Sequence, residues 1–400
     1  MTRVVVAGGG MAALYTVIAL REKGFDGEIT MVSAEVHHPY DRPPLSKEVL
    51  LGKTDSSMLD AEWHELALDL RLGVSATSLE ASDTITTTEG ELGFDRLVVA
   101  TGSFPLWLPG SEGLPGVHVL RTVDDSLRLR AAFQTGAKVA VIGAGWIGAE
   151  VATAAATAGC EVTVIEGMDY PLAAAMPREI GSLTEAWYAE AGIRLLLASP
   201  VDTVTSGSVR LMSGESIAAD AIVIGIGVRP QTAWLGDAVE RSPRGAIAVD
   251  DRCRTSRPNV LAVGDCTVFP SRRFGHDMHV EHWDNARRQP LVAAANIAGA
   301  PAGDPDLTYD PVPYFWSQQL GRMVQYVGSH DGAKDLLWRW PATEQKWSAF
   351  WLNEDRIVAA IGVGRPRDVI QARGLIESGT RVDRTALVDT GVQVSQAAAS

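Results

Sequence analysis

The segment from Val139 to Glu166 restricts the fold more than any other part of the chain. Val139-Ala140-Val141-Ile142 suits a strand buried on both faces, as in a parallel sheet. It runs into Gly143-Ala144-Gly145-Trp146-Ile147-Gly148, then a stretch through Ala158 that reads as a helix, then a second strand, Val162 to Ile165, ending on Glu166. This is GxGxxG with the flanks that a dinucleotide needs. Gly143 allows a tight turn, Gly145 lets a pyrophosphate approach the backbone, and Gly148 lets helix and strand pack closely. The helix start offers unpaired N–H groups and the positive end of its dipole to phosphates. Glu166 stands where a ribose would lie. A carboxylate accepts from a free 2′-hydroxyl and repels a 2′-phosphate, so the pattern favours NADH over NADPH.

The same theme opens the chain. Val4-Val5-Val6-Ala7 leads into Gly8-Gly9-Gly10-Met11-Ala12-Ala13, a helix through Arg21, and a second strand that closes on Glu35. Ala13 takes the place of the third glycine and is small enough for helix–strand contact. Two such units in 400 residues imply two dinucleotides and an α/β chain of two or three domains. Each motif is followed by a similar buried strand. One runs from Arg96 into Ala100-Thr101-Gly102, the other from Ala221 to Gly227. These strands are expected to close the two units and carry the chain between domains.

Composition removes several classes. A net charge of −14 argues against non-specific nucleic-acid binding. No apolar run has the length of a membrane span. Met1-Thr2-Arg3 passes straight into a strand and not through the longer apolar region of a signal peptide, so the expected location is the cytoplasm. Three cysteines, Cys160, Cys253 and Cys266, lie far apart with no CxxC, which signals neither a redox dithiol nor a zinc cluster. Cys160 and Cys266 read as small buried hydrophobes.

Between the motifs, Pro39, Pro43 and Pro44 stiffen the segment His37–Lys47, and Lys47 is expected to open a helix that continues to Leu51. Arg42 and Lys47 follow directly on a dinucleotide site in a lysine-poor chain. A cation held beside a flavin would stabilise negative charge on the reduced ring. A short helix is predicted around Ala61–Leu68, and a hairpin from Thr84 to Leu92. A strand from Val260 ends on Gly264-Asp265. A helix over Ala286–Ala298 carries Ala293-Ala294-Ala295, which predicts close packing on a neighbour. Beyond Pro311 the chain is aromatic-rich, with strands predicted at Arg322–Tyr326, Trp347–Leu352 and Ile357–Gly362 and a helix at Pro366–Ser378. This suggests a small α+β domain whose end, Gln393–Ser400, is frayed.

Gly8–Ala13 with Glu35, Pro39–Lys47, Ala100-Thr101-Gly102, Gly143–Glu150 with Glu166, Gly264-Asp265, Glu281–Ala286 and Pro313–Gln319 occur in this order. The whole resembles the FAD-dependent, NADH-linked ferredoxin reductases of oxygenase systems, which are related to apoptosis-inducing factor. The resemblance spans nearly the entire chain. It implies a glutathione-reductase-like flavoprotein fold: two Rossmann-like dinucleotide-binding domains plus a small α+β C-terminal domain. FAD would lie on residues 1–112 and 241–312, NAD on 113–240, and the third domain would span 313–400. By the same resemblance Gly8, Gly10, Ala13, Glu35, Arg42, Lys47, Ala100, Thr101, Gly102, Gly264, Asp265, Glu281, Trp283 and Trp316 surround FAD. Glu35 would bind its adenosine ribose, Gly264-Asp265 its ribityl and phosphate portion, and Lys47 would lie near the isoalloxazine. Glu281 and Trp283 would lie along the flavin from the other side, and Trp316 would reach it from the C-terminal domain. Gly143, Gly145, Trp146, Ile147, Gly148, Glu150, Glu166 and Gly227 would hold NAD, with Glu150 beside the nicotinamide and paired with Lys47. His282 stands where the family varies, and Met278-His279 replaces a more usual charged neighbour.

The implied activity is transfer of a hydride from NADH to FAD, then of single electrons to a ferredoxin with a 2Fe–2S or 3Fe–4S cluster. That ferredoxin would supply a cytochrome P450 or a ring-hydroxylating dioxygenase. Lys47 and Glu150 would position and stabilise, and no metal is called for. A rubredoxin reductase is an alternative. A dithiol flavoenzyme would need a cysteine pair, and an NADH oxidase of this fold typically uses a cysteine just after the first ribose acid, where His37–Gly52 has none. A non-enzymatic interaction protein is a further alternative. An acidic chain meeting an acidic ferredoxin requires a local basic face. Candidates for it are Arg272, Arg273, Arg287, Arg288, Arg365, Arg367 and Arg373.

Overall fold

The protein was analysed as a computed structural model, which describes residues 1–301, 303–340 and 345–399. Each glycine-turn motif builds its own five-stranded parallel sheet. The first sheet runs in the order Val260–Ala262, Arg96–Val99, Arg3–Ala7, Glu28–Ser33, Leu68–Leu72. The second runs Arg194–Leu196, Glu161–Ile165, Lys138–Ile142, Ala221–Ile224, Val117–His118. In both, the strand before the glycine turn is flanked by the strand that ends on the acid and by the strand expected to close the unit. Val4 pairs with Ile29 and Arg96, and Val139 pairs with Val162 and Ala221. Apolar residues on both faces of these strands are buried, as a sheet covered on two sides requires.

The closing strands also carry the chain between the two sheets. Ser103–Pro105 and Val228–Pro230 follow them and pair antiparallel as a two-stranded link. The helix spans Trp283–Ala298, three residues earlier at its start than expected, and ends on Gly299 at φ +72°. Ala293, Ala294 and Ala295 are fully buried, and this helix packs against Met11–Glu22, the helix of the first motif. The C-terminal unit is an antiparallel sheet in the order Tyr314–Gln319, Arg322–Gly328, Arg356–Val363, Trp347–Asn353, Asp335–Arg339. The Pro366–Ser378 helix packs on its central strands. Two of its strands, Tyr314–Gln319 and Asp335–Arg339, were not anticipated.

Four expectations fail for identifiable reasons. Ala61–Leu68 is not helical: Ala67 adopts φ +44°, outside the right-handed helical region, and Arg21 donates to the Leu66 and Ala67 carbonyls, tying the segment to the helix of the first motif. Leu68 is then drawn into the first sheet opposite Ile29. Lys47 does not open a helix. The helical turn is the 3₁₀ segment Pro43–Ser46, and Lys47 ends it at φ −130°, ψ −101°. The C-terminus is not frayed through residue 399: Val394 and Ala397 are buried, and Ala399 N–H donates to the Arg381 carbonyl at 2.8 Å. Ser400 lies outside the described residues. Cys160 is half-buried, with its thiol toward the Gln134 carbonyl, so only Cys253 and Cys266 are buried thiols.

Candidate active site

The two glycine turns face one another across a single cleft of about 1270 Å³. Each glycine has the local reason that its place in the motif demands. Gly143 has φ +101°, and a Cβ there would sit 2.4 Å from the Gly225 carbonyl oxygen. A Cβ on Gly148 would fall 2.0 Å from the Gly143 carbonyl oxygen, so only glycine lets the helix approach the turn this closely. Beside Gly145 nothing lies within 4 Å of the added atom, which leaves room for a ligand. The first motif repeats this, with Gly8 at φ +134° against Ala100 and Gly10 open. Neither following helix, Met11–Glu22 nor Trp146–Thr157, has its start capped by a side chain, so N–H groups remain for an anion. These features fit two dinucleotides.

The acids that end the second strands both line the cleft and are held by different partners. Glu35 accepts from Arg42 Nη2 at 2.8 Å and from the Tyr40 hydroxyl at 2.5 Å. Arg42 in turn donates to the Arg121 carbonyl at 2.5 Å. Burial, and then Glu35, raise the Tyr40 phenol, which stays a donor. Glu166 accepts instead from backbone: Ala144 N–H at 2.8 Å and Met168 N–H at 2.9 Å. The Ala144 bond ties the acid to the glycine turn itself.

The cleft also holds a heavily constrained ion pair. Glu150, on the Trp146–Thr157 helix, is 4 % exposed and lies 2.6 Å from Lys47 Nζ. The same oxygen, Oε2, accepts from Ser46 Oγ at 2.5 Å, while Oε1 accepts from Ser317 Oγ at 2.7 Å. Lys47 also donates to the Pro43 carbonyl at 3.1 Å. A buried pair with this many partners is stable only because each charge is matched; removing one partner from such a pair costs about 3–5 kcal/mol.

A second charged group lines the cleft near the first motif. Arg121 Nη2 donates to Asp265 Oδ2 at 3.0 Å, and Arg121 Nε is buried without a partner in the protein. Burial, and then Arg42, lower the Arg121 guanidinium against the pull of Asp265. Glu281 faces the same region 3.6 Å from His279 Nε2, and burial is the main cause of its raised carboxyl. At the rim, Trp283 Nε1 donates to Asp41 Oδ1 at 2.8 Å, and the Trp283 and Trp316 rings meet edge to face at 5.7 Å.

With one exception, every residue singled out in the sequence for FAD or NAD lines this cleft, including Thr101, Gly102, Gly227, Gly264, Trp146 and the half-exposed Ile147. The exception is Ala13, which is fully buried in the core beneath the turn and does not reach the cleft. Ser46, Ser317, Arg121, Tyr40 and Asp41 are site residues that the sequence did not single out. Tyr40, Asp41 and Ser46 lie within the segment Pro39–Lys47 and Ser317 within Pro313–Gln319, whereas Arg121 lies in no segment the sequence pointed to. Among the described residues no cysteine lines the cleft. Cys266 is buried, its thiol pushed up to about 12 chiefly by burial.

Residues 2–290 match the family model described as pyridine nucleotide-disulphide oxidoreductase, and residues 314–398 match the reductase C-terminal model. The chain is 35 % identical over 400 residues to the ferredoxin–NAD(+) reductase component of the anthranilate 1,2-dioxygenase system of Burkholderia cepacia, covering 97 % of each. It superposes with a TM-score of 0.91 on the ferredoxin reductase for the CYP199A2 system from Rhodopseudomonas palustris, at 31 % identity and 100 % of both chains. The putidaredoxin reductase chain of a covalent complex with putidaredoxin gives the same score of 0.91 at 28 % identity, over 98 % of this chain and 97 % of that one. With two nucleotide motifs on one cleft, a reductase C-terminal sheet beside it and these matches along its length, the chain belongs to the pyridine nucleotide-disulphide oxidoreductase family.

Proposed function

We propose that this protein is an FAD-dependent NADH:ferredoxin oxidoreductase that supplies electrons to an oxygenase, either a cytochrome P450 or a ring-hydroxylating dioxygenase. The observation that carries this reading is one cleft that joins both dinucleotide motifs through the Lys47–Glu150 pair and has no thiol on its walls among the described residues. A flavoprotein with no cysteine at its cleft has no dithiol of its own to reduce, so its electrons go to a separate acceptor. The names of the relatives, ferredoxin reductase components of dioxygenase and P450 systems, support the same acceptor.

FAD would be held by Gly8, Gly10, Glu35, Arg42, Arg121 and Asp265. NADH would be held by Gly143, Gly145, Gly148 and Glu166. Bound FAD supplies the ability to take two electrons together and release them one at a time. The chain's own part is to hold both ligands in one dry cleft and to fix charge there in advance. Lys47, restrained by Glu150, presents a positive charge where negative charge develops. Trp283 and Trp316 wall the rim, and Asp41 fixes the ring of Trp283. On this reading residues 1–112 with 241–312 form the FAD unit, 113–240 the NADH unit and 313–400 a third unit that completes the cleft. No helix among the described residues is long and apolar enough to cross a membrane, and we place the protein in the cytoplasm.

The test is anaerobic. Holoprotein mixed with NADH should lose its flavin absorbance and then reduce a 2Fe–2S ferredoxin catalytically, with NADPH a poor substitute. Bleaching of the flavin with no ferredoxin reduction across a panel of such proteins would overturn the acceptor. Rapid oxygen consumption with no need for ferredoxin would point to an oxidase.

A further inference from the structure

The Glu150 carboxylate, carried by the second unit, is gripped from two other parts of the fold at once. Its Oε2 takes Ser46 and Lys47 from the first unit, at 2.5 and 2.6 Å. Its Oε1 takes the Ser317 hydroxyl at 2.7 Å and the Gln318 N–H at 3.3 Å, both from the first strand of the C-terminal sheet. A carboxylate offers about four lone-pair directions, and here four donors meet it. Ser46, Glu150 and Ser317 are all buried, at 4 %, 4 % and 1 % exposure, so bulk water has little access to take over a lost bond.

We propose that Ser317 is a positioning residue for electron transfer: by fixing Oε1 of Glu150, its hydroxyl fixes where Oε2 holds the Lys47 ammonium. This rests on the function proposed above. Without that hydroxyl, Oε1 keeps only the long bond from Gln318, and the carboxylate can turn about its terminal bond and carry Lys47 with it. The strand makes the coupling two-sided. Trp316 and Ser317 are consecutive strand residues and therefore point to opposite faces. One meets Trp283 at the rim, and the other holds Glu150. A shift of this strand reaches the rim and the Lys47–Glu150 pair together, which links the C-terminal sheet to the centre of the cleft.

The test uses the full holoprotein with S317T, S317V, E150A and the S317V/E150A double variant. Threonine and valine have the same shape and both suit a strand, so they differ only in the hydroxyl. Three quantities are read: the rate at which excess NADH bleaches the flavin, the midpoint potential of the bound flavin, and the thermal unfolding midpoint. S317T should keep the wild-type rate and potential. S317V should slow bleaching roughly tenfold, the order expected for losing one hydrogen bond to a charged group. It should also move the potential in the same direction as E150A, while its thermal midpoint, though lower than that of S317T, stays above the assay temperature. In the double variant, S317V should add nothing to E150A. Equal rates and potentials for S317T and S317V would overturn the proposal, as would effects of S317V and E150A that multiply. If NADH fails to bleach even the wild-type flavin, the proposed function falls, and the potentials alone decide the role of Ser317.

Discussion

Glu166 Oε2 accepts the Ala144 N–H at 2.8 Å, so the acid of the second motif also braces the glycine turn of that motif. Glu35 in the first unit has no such bond and is held by the side chains of Tyr40 and Arg42. The two acids occupy equivalent places in the sequence motif but carry different structural duties.

Replacing Glu166 should therefore cost more than a ribose contact. Glu166→Ala should raise KM for NADH about tenfold, because one half-buried acceptor and the bracing of the turn are lost together. Adding Met168→Arg, at an exposed neighbouring position, should raise the NADPH-to-NADH ratio of kcat/KM at least about tenfold. Steady-state kinetics with both coenzymes decide this. An unchanged preference in the double variant would remove Glu166 from coenzyme choice.

The structure separates two candidate docking arginines. Arg287 lies over the rings of Trp283 and Tyr15, at 5.2 and 5.8 Å, so changing it also disturbs the rim. Arg288 is exposed and makes only a loose pair with Asp284 at 3.5 Å. Arg288→Glu should raise KM for ferredoxin several-fold at low salt, fade in effect above about 0.3 M salt, and leave NADH–ferricyanide turnover near wild type. Loss of both activities together would mean damage to the fold.

Burial pushes the His282 imidazole down to about 4, and its Nδ1 has no partner in the protein. In the unfolded chain an imidazole titrates near 6.5. Between these values the unfolded state binds a proton that the folded state refuses. The contribution of His282 is thus fully present above about pH 6.5 and is lost as pH falls toward about 4. Denaturant titrations at pH 7 and pH 4.5 should show wild type losing about 2 kcal/mol more than His282→Phe. His118 and His330, also lowered mainly by burial, remain in both proteins and cancel. Parallel losses in the two proteins would refute the assignment.

Arg339 explains the ordered C-terminus. Its guanidinium is 2 % exposed, lies 3.4 Å from Asp368, and donates to the Leu387 and Val392 carbonyls at 2.9 and 2.5 Å. Arg339→Met should destabilise the protein by about 1–3 kcal/mol, since it strips the Leu387 and Val392 carbonyls of their donor, while Asp368 keeps Arg365 at 3.0 Å. Trypsin should then cut at Arg381 and Arg384 faster than in wild type. A cleavage rate that does not change would mean that the tail is held elsewhere.

What was legible in the sequence was local. The glycine turns, the acids Glu35 and Glu166, and the strands and helix of the second half announce themselves within windows of about 30 residues, because their causes lie inside those windows. The failures have distant causes. Arg21 reaches across to the Leu66 and Ala67 carbonyls and holds that segment against the first motif's helix, where Ala67 turns to a positive φ. Arg339 pins a tail whose own composition suggests fraying. Ser46 and Ser317 lie inside the segments Pro39–Lys47 and Pro313–Gln319, but nothing local gives either serine a role: each matters through a carboxylate more than 100 residues away. A single serine becomes part of the site only when three segments converge on Glu150.

The borrowed strand of the first sheet has a consequence for synthesis. Every strand of the second sheet lies between Val117 and Ile224, whereas the first sheet needs Val260–Ala262 to finish. On a ribosome the middle of the chain can therefore complete its sheet before the beginning can. The N-terminal strands must wait as an open edge at Arg96–Val99 until residue 262 emerges. That same late segment brings Gly264 and Asp265 to the cleft, so the emerging chain acquires its first complete ligand site only after its second sheet is already closed.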